Sequence, residues 1–216
     1  MITSVTSLAE VHARRGELGR AEMVLALGTS FVTSADLQDR AAYLASRAVL
    51  RQVQGRHAEA LEDAGQALRD GDQFGPDAQR VKVGLVAAAE AALALGDLRR
   101  VEELLSFLDR LRSGERRPYM DAQAARLRAH LAAARGRHDR AEAGFKAAAG
   151  LLRELGMPFW LGVVLLEHAE WLAAQDRPGD AAPLLEEAAA IFERLGARPW
   201  SERVGWLAGR PAQARS

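Results

Sequence analysis

The chain has 216 residues, 29 of them basic and 29 acidic, so its formal charge at pH 7 is zero. That balance supplies no broad field for nucleic acid or an anionic membrane surface. There is no cysteine, which excludes disulfides and cysteine-based metal sites. Apolar residues make up 49%, enough for a sizeable core.

The helical signals come in pairs. Residues 3–15 predict a first helix with no clear cap, Gly16-Glu17-Leu18-Gly19 a turn, and residues 20–33 its partner. Met1 stands almost inside that first helix, and the expectation is that an upstream neighbour has been cut away or is encoded elsewhere. Thr33, Ser34 and Asp36 offer caps for the next start. A second pair is predicted at 36–54 and 58–70 around Gly55 to His57, and Gly71 to Pro76 breaks the pattern. A third pair follows at 77–95 and 99–112 around Gly96-Asp97. Ser113 to Pro118 is a second breaker, with Glu115, Arg116 and Arg117 expected to be exposed. The fourth pair is predicted at 119–135 and 139–155, and the fifth at 159–175 and 180–195. Pro178 and Pro183 are expected just before and within the first turn of the last partner helix, where proline is tolerated. A short helix at about 200–208, carrying Trp200 and Trp206, reads as a C-terminal cap, and residues 210–216 as a loose tail.

The pairs are copies. Leu155-Gly156-Met157-Pro158-Phe159-Trp160 returns as Leu195-Gly196-Ala197-Arg198-Pro199-Trp200, with 195 − 155 = 40 and 200 − 160 = 40. Pro118 and Pro158 are also 40 apart, by 158 − 118. Turn markers recur at Gly16, Gly55, Gly96, Gly136 and Asp176. Seven residues before each stands an alanine: Ala9, Ala48, Ala89, Ala129 and Ala169. Five residues after each stands Ala21, Ala60, Val101, Ala141 or Ala181. Alanine at a helix crossing lets two backbones approach, and glycine at the turn supplies the conformation that ends a helix. Larger residues recur eleven before the marker (Val5, Leu44, Leu85, Ala125, Leu165) and five before it (Val11, Leu50, Ala91, Leu131, Trp171). A period of this size is the signature of stacked structural repeats.

The turn glycine with an alanine seven before and five after it resembles the skeleton of the tetratricopeptide repeat, whose usual period is about 34 residues. Here the period is about 40, most of the family's aromatic positions are unfilled, and Phe145 alone sits where the second-helix aromatic is expected. Residues 136–208 carry more: Pro158-Phe159-Trp160, Glu167-His168-Ala169-Glu170-Trp171-Leu172, Asp180-Ala181-Ala182-Pro183-Leu184-Leu185-Glu186-Glu187-Ala188 and Ile191-Phe192-Glu193-Arg194-Leu195-Gly196. Together they resemble the C-terminal repeat region of large bacterial signalling proteins that join a nucleotide cyclase or DNA-binding output domain to an ATPase. The resemblance implies an all-α, right-handed superhelix (an α-solenoid) of five hairpins, at about 3–34, 36–71, 77–113, 118–156 and 158–196, closed by a cap at about 199–209. It implies a non-catalytic scaffold or regulatory segment of a signal-transduction protein, in one domain over 1–216. A free-standing adaptor or homo-oligomerising scaffold is the alternative. No phosphate-binding GxxxxGK[ST] loop is present. Basic residues are nearly all arginine, with lysine only at Lys82 and Lys146, which with the alanine excess points to a GC-rich bacterial genome.

No constellation predicts catalysis, a cofactor or a metal. His57 and His138 lie two residues after turn glycines, at a site filled elsewhere by Leu18, Leu98 and Pro178, and read as packing residues. His168 is flanked by Glu167, but adjacent residues on a helix point apart, whereas Glu167 and Glu170 share a face, as do His168 and Trp171. His12 stands alone, exposed, with nothing near it in sequence. Serines occur in no strained-turn motif, and the Glu102-Glu103 and Glu186-Glu187 pairs read as solvated faces. The arginine pairs Arg99-Arg100 and Arg116-Arg117 are offset by as many acidic residues, so nucleic acid is not expected. No run reaches the ~18 apolar residues of a membrane span, and residues 1–15 lack a signal-peptide core. A cytoplasmic protein is expected.

What the tetratricopeptide geometry implies is a concave face lined by the leading helices. By register it holds Ala45, Val49, Val53, Val83, Val86, Leu93, Val163 and Leu166, with Arg126 and His130 in the fourth repeat. Glu10, Glu90 and Glu170 share the register of His130. Such a groove would grip a helix or extended segment of a protein partner, or another domain of a parent chain. The competing expectation is that the longer helices wind tightly and bury these valines.

Overall fold

The computed structural model describes residues 2–71, 79–110 and 117–209. Among them are eleven α-helices and no strand: α1 Ile2–Arg14, α2 Leu18–Ala26, α3 Leu37–Val53, α4 His57–Gly71, α5 Gln79–Leu95, α6 Leu98–Asp109, α7 Pro118–Ala134, α8 His138–Glu154, α9 Pro158–Ala174, α10 Pro178–Leu195 and α11 Arg198–Ala208. The breaker residues 72–76 and 113–116, with Glu115 and Arg116, and the tail 210–216 lie outside the described residues, as does Met1. Arg117 is exposed, as expected. The chain folds as two compact units, Met1–Met120 and Asp121–Ser216.

Each turn marker adopts the left-handed conformation. Gly16, Gly55, Gly96 and Gly136 have φ of 75°, 76°, 69° and 67°, and Asp176 has 57°. The residue after each marker donates its N–H to a carbonyl five positions back: Glu17 to His12 at 2.9 Å, Arg56 to Arg51 at 2.9 Å, Asp97 to Ala92 at 2.9 Å, Arg137 to Ala132 at 2.8 Å and Arg177 to Leu172 at 3.0 Å. This six-to-one bond is the Schellman closure, and it needs positive φ at the marker. Asp176 is the one described residue other than glycine in that region, where a Cβ is disfavoured by about 1 kcal/mol. Asp176→Gly is therefore expected to stabilise the protein by up to about 1 kcal/mol, and Gly136→Val to destabilise it by at least as much. Urea denaturation of the two variants reads both signs; equal midpoints would mean that turn conformation does not limit stability.

The alanines beside these turns are packed. Ala9, Ala48, Ala129 and Ala169 are fully buried and Ala89 nearly so, and Ala21, Ala60, Val101 and Ala141 have no exposure. Their closeness has structural consequences. A Cβ on Gly144 of α8 would lie 3.0 Å from Ala129 Cβ and 3.3 Å from the Ala125 carbonyl of α7. A Cβ on Gly162 of α9 would lie 2.9 Å from the Phe192 ring of α10. The first crossing runs nearly backbone to backbone; at the second the Phe192 ring lies on the bare Gly162 backbone.

In unit 1, α1 packs on α2 and α3, α3 on α4 and α5, and α5 on α4 and α6. Ala9, Ala13, Ala21, Leu25, Tyr43 and Leu50 form one core cluster, while Leu44, Ala45 and Ala67 form another with Val83 against it. Two bidentate ion pairs tie α3 to α4: Arg47 Nε and Nη2 donate to Asp63 at 2.7 Å each, and Arg40 donates to Asp70 at 2.6 and 2.7 Å. Both aspartates are buried. In unit 2, α9 packs on α8, α10 and α11, and α10 on α11. Leu127, Phe145, Leu152, Leu166, Leu172 and Phe192 are its most enclosed large apolar residues.

Three local expectations need correction. The partner helix expected at 20–33 ends at Ala26, and Thr29–Thr33 is a 3-10 turn. The Thr29 hydroxyl donates to the Ala26 carbonyl at 3.0 Å, and the rings of Phe31 and Tyr43 press against Gly28, so the chain leaves the helix there. Pro178 opens α10 itself, which puts Pro183 beyond the first turn, where its missing N–H leaves an intrahelical bond unmade. Trp206 is 64% exposed; α11 buries Val204 and Leu207 instead, while Trp200 packs edge-on against Phe159 at 5.0 Å.

Candidate functional site

α9 is the most enclosed helix of unit 2, buried without interruption from Leu161 to Ala169. Pro158 starts it at a position that needs no N–H donor. Two polar residues, Glu167 and His168, stand inside this apolar run, and each must find a partner or carry a desolvation cost. Glu167 finds one in α7. Arg126 Nε donates to Glu167 Oε2 at 2.6 Å and its Nη2 donates to Oε1, while His130 Nε2 lies 2.9 Å from Oε2. The guanidinium also donates to Gln123 Oε1 at 3.3 Å and lies over the Trp160 ring at 5.6 Å. Burial pushes the Glu167 carboxyl upward, but Arg126 and His130 outweigh it and hold it below the usual carboxylate range.

The polar line continues outward. Glu170, one turn after Glu167, accepts from Arg203 of α11 at 2.5 Å through both Nε and Nη2. Arg126, Glu167, Glu170 and Arg203 thus set two carboxylates of α9 between an arginine of α7 and an arginine of α11, from a buried end to an exposed one. Side-chain exposure rises from 1% at Arg126 and 7% at Glu167 to 28% at Glu170 and 47% at Arg203. The same registers meet in unit 1. Glu10 of α1, six before its turn marker like His130, accepts from Ser46 Oγ of α3 at 2.7 Å, and Ser46 stands nine before its marker like Glu167. Burial pushes the Glu10 carboxyl up, with Arg14 and Ser46 opposing.

His168 faces the other way. Its ring stacks on Phe145 at 5.3 Å and lies 6.0 Å from Trp171, whose indole lies 6.1 Å from His138. The His168 Nε2, Trp171 Nε1 and Gln123 Nε2 are buried without a hydrogen-bond partner. Burial pushes His168 below the ordinary histidine range, with Glu142 opposing. Glu142 itself is held down at about 2 by its bonds to Arg177 at 2.6 Å and Lys146 at 2.7 Å.

These shifts give acid sensitivity a sign. A buried neutral His168 means that the unfolded chain takes up its proton first, so stability falls as pH drops below about 6.5. A depressed Glu142 contributes stability that is complete above about 4.5 and is lost as pH falls toward 2. Thermal unfolding from pH 8 to 3 should show both losses. His168→Phe, which keeps the stack, should remove the first, and Glu142→Gln the second. A wild-type profile that both variants reproduce would contradict the assignment.

The expected groove is only partly available. Val86, Arg126, Val163 and Leu166 are buried at 4%, 1%, 2% and 0% exposure, so they meet neighbouring helices and not a partner. Ala45 is buried as well, and Val49, Val53, Val83 and Leu93 are half-buried. Glu90, His130 and Glu170 keep partial exposure. His12 is not alone: its Nδ1 lies 2.6 Å from Glu17 Oε2, which the turn at Gly16 brings back toward α1. His57 is half-buried and bonds the Gln52 side chain at 2.9 Å; His138 is exposed and lies against Trp171, not in the core. Among the described residues no three acidic, histidine or cysteine side chains gather as a metal site, and no helix is long and apolar enough to cross a membrane. The chain matches no protein-family model and no curated protein.

Proposed function

We propose that the chain is a tetratricopeptide-like helical-repeat scaffold, a superhelix of five hairpins and a cap, and that it holds a protein segment without catalysing a reaction. Recurrence carries the fold reading: one turn conformation, one small-residue crossing and one polar contact register return along the chain. The setting that the resemblance implies, a bacterial cytoplasmic signalling protein, belongs to the same proposal. The polar line of unit 2 carries the binding reading. Arg126–Glu167 is sealed and fixes α7 against α9. Glu170–Arg203 is solvent-exposed, and such pairs contribute only about 0–1 kcal/mol, so an incoming cation displaces Arg203 at little cost. His130, 24% exposed, is the outward member of the Glu167 cluster. A peptide with a basic anchor flanked by apolar residues fits this face.

Selection from a displayed peptide library tests the reading. The expected result is enrichment of lysine- or arginine-bearing peptides whose affinity falls at least tenfold on Glu170→Arg and is unchanged by Arg56→Glu in unit 1. No enrichment, or binders indifferent to Glu170→Arg, would overturn it.

A further inference from the structure

Helix α11 is seated on unit 2 in the manner of a bound peptide. Trp200, Arg203, Val204 and Leu207 recur at the i, i+3, i+4, i+7 spacing of one helix face. The Trp200 ring packs edge-on against Phe159 of α9 at 5.0 Å and lies 6.3 Å from Phe192 of α10. Arg203 donates to Glu170 of α9 through Nε and Nη2, at 2.5 Å each. Val204 and Leu207 are buried, whereas Glu202, Gly205, Trp206 and Ala208 on the other faces are exposed. α11 packs on α9 and on α10, so its seat is a face to which both helices contribute. Anchors at this spacing are how an amphipathic helix is held by a protein surface. The anchor here is a cation flanked by apolar side chains, the chemistry read above for the partner.

We propose that α11 is an internal occupant of the peptide-binding face and holds there, in cis, the place of a partner helix. The inference rests on the binding reading of unit 2 and gives the partner a pattern. Its lysine or arginine has an apolar residue three positions before it and others one and four after it, as Arg203 has Trp200, Val204 and Leu207. α11 yields where α9 does not, because their polar contacts differ. The Arg126–Glu167 pair that holds α9 is sealed, and breaking it strands a buried carboxylate. The Arg203 and Glu170 side chains are 47% and 28% exposed, so water takes over both charges on release. The tether keeps α11 seated in the meantime. α11 begins at Arg198, directly after the Gly196–Ala197 turn that ends α10, and so short a link sets an effective concentration on the order of millimolar. A weak free peptide at micromolar concentration does not displace it; a partner that binds more tightly than α11 does.

A labelled peptide with the sequence from Ala197 to Gly209, titrated with the full chain, tests this. Arg203→Glu combined with Val204→Asp sets a carboxylate against Glu170 and a charge in the apolar contact, which releases the resident α11. The opened chain should bind the peptide about tenfold or more tightly than wild type, whose site is filled by its tethered copy. Adding Glu170→Arg should abolish that gain, and circular dichroism should show the other helices intact. Library-selected lysine or arginine peptides should gain affinity on the same opening and displace the label. Equal binding of the label to the opened chain and wild type, or a gain indifferent to Glu170→Arg, would overturn the proposal. So would loss of the whole of unit 2 in the double variant, which would make α11 part of the core. Library peptides that bind both forms equally would overturn it and leave the binding reading standing. Uptake of the α11 peptide by the opened chain, with no library peptide bound, would remove that reading instead.

Discussion

Replacing Arg126 by Met is expected to cost about 3–5 kcal/mol, the usual penalty when one partner of a buried ion pair is removed. The size comes from what remains. Glu167 stays in place, enclosed by α9 and its neighbours, with the His130 ring 2.9 Å away as its remaining hydrogen-bond partner. The loss is expected to shrink as pH falls. Burial already pushes the Glu167 carboxyl upward, and without the guanidinium nothing of equal strength opposes it. Its folded-state pKa then lies above the unfolded value, so the variant takes up a proton on folding and loses stability as pH rises. A urea titration at pH 5 and pH 8 should show the larger deficit at pH 8. The double variant Arg126→Met with Glu167→Met should recover most of the loss, because well-packed apolar residues often replace a buried pair without cost. A single variant within about 1 kcal/mol of wild type at both pH values would show that the pair is not sealed as the geometry has it.

The pair also shows what the sequence does and does not carry. Turn residues and crossing alanines are legible because their causes are local: a positive φ needs glycine or a tolerant stand-in such as Asp176, and a close crossing needs a small side chain. Their spacing then repeats, and helix ends fall within a few residues of their expected places except at α2, which stops seven residues early at Ala26. Burial of the leading-helix faces is not local. Val86, Val163 and Leu166 hold groove positions only in the borrowed geometry of a shorter repeat; whether such positions are open depends on how closely successive long helices pack, and no single residue sets that. The same borrowed geometry places Arg126 in the groove. A usable signal is present: a carboxylate inside the run Leu161 to Ala169 must be neutralised, and one period back, at 167 − 40 = 127, Arg126 and Arg128 stand on either side. His12 illustrates the opposite case. Its partner Glu17 is five residues away, out of reach along a helix, but the Schellman turn doubles the chain back.

Replacing Ala129 by Leu is expected to cost about 1–3 kcal/mol by overpacking the crossing of α7 and α8. Ala129 has no exposure, and the space beyond its Cβ is already so small that even a methyl at Gly144 would sit 3.0 Å away. A leucine brings three more carbons into that gap. Backbone stands close at the crossing: a Cβ at Gly144 would lie 3.2 Å from Ala129 Cα and 3.3 Å from the Ala125 carbonyl. The two helices must therefore part by a fraction of an ångström along the seam, which also loosens the contact between the His130 and Phe145 rings, now 5.2 Å apart. Ala134→Leu, on the exposed last residue of the same helix, adds identical atoms without that conflict and should stay within about 0.5 kcal/mol of wild type. The difference between the two substitutions isolates the crossing from helix propensity, since both exchange alanine for leucine in α7. Equal unfolding midpoints would mean that the small residue at this register is not what holds the two helices together.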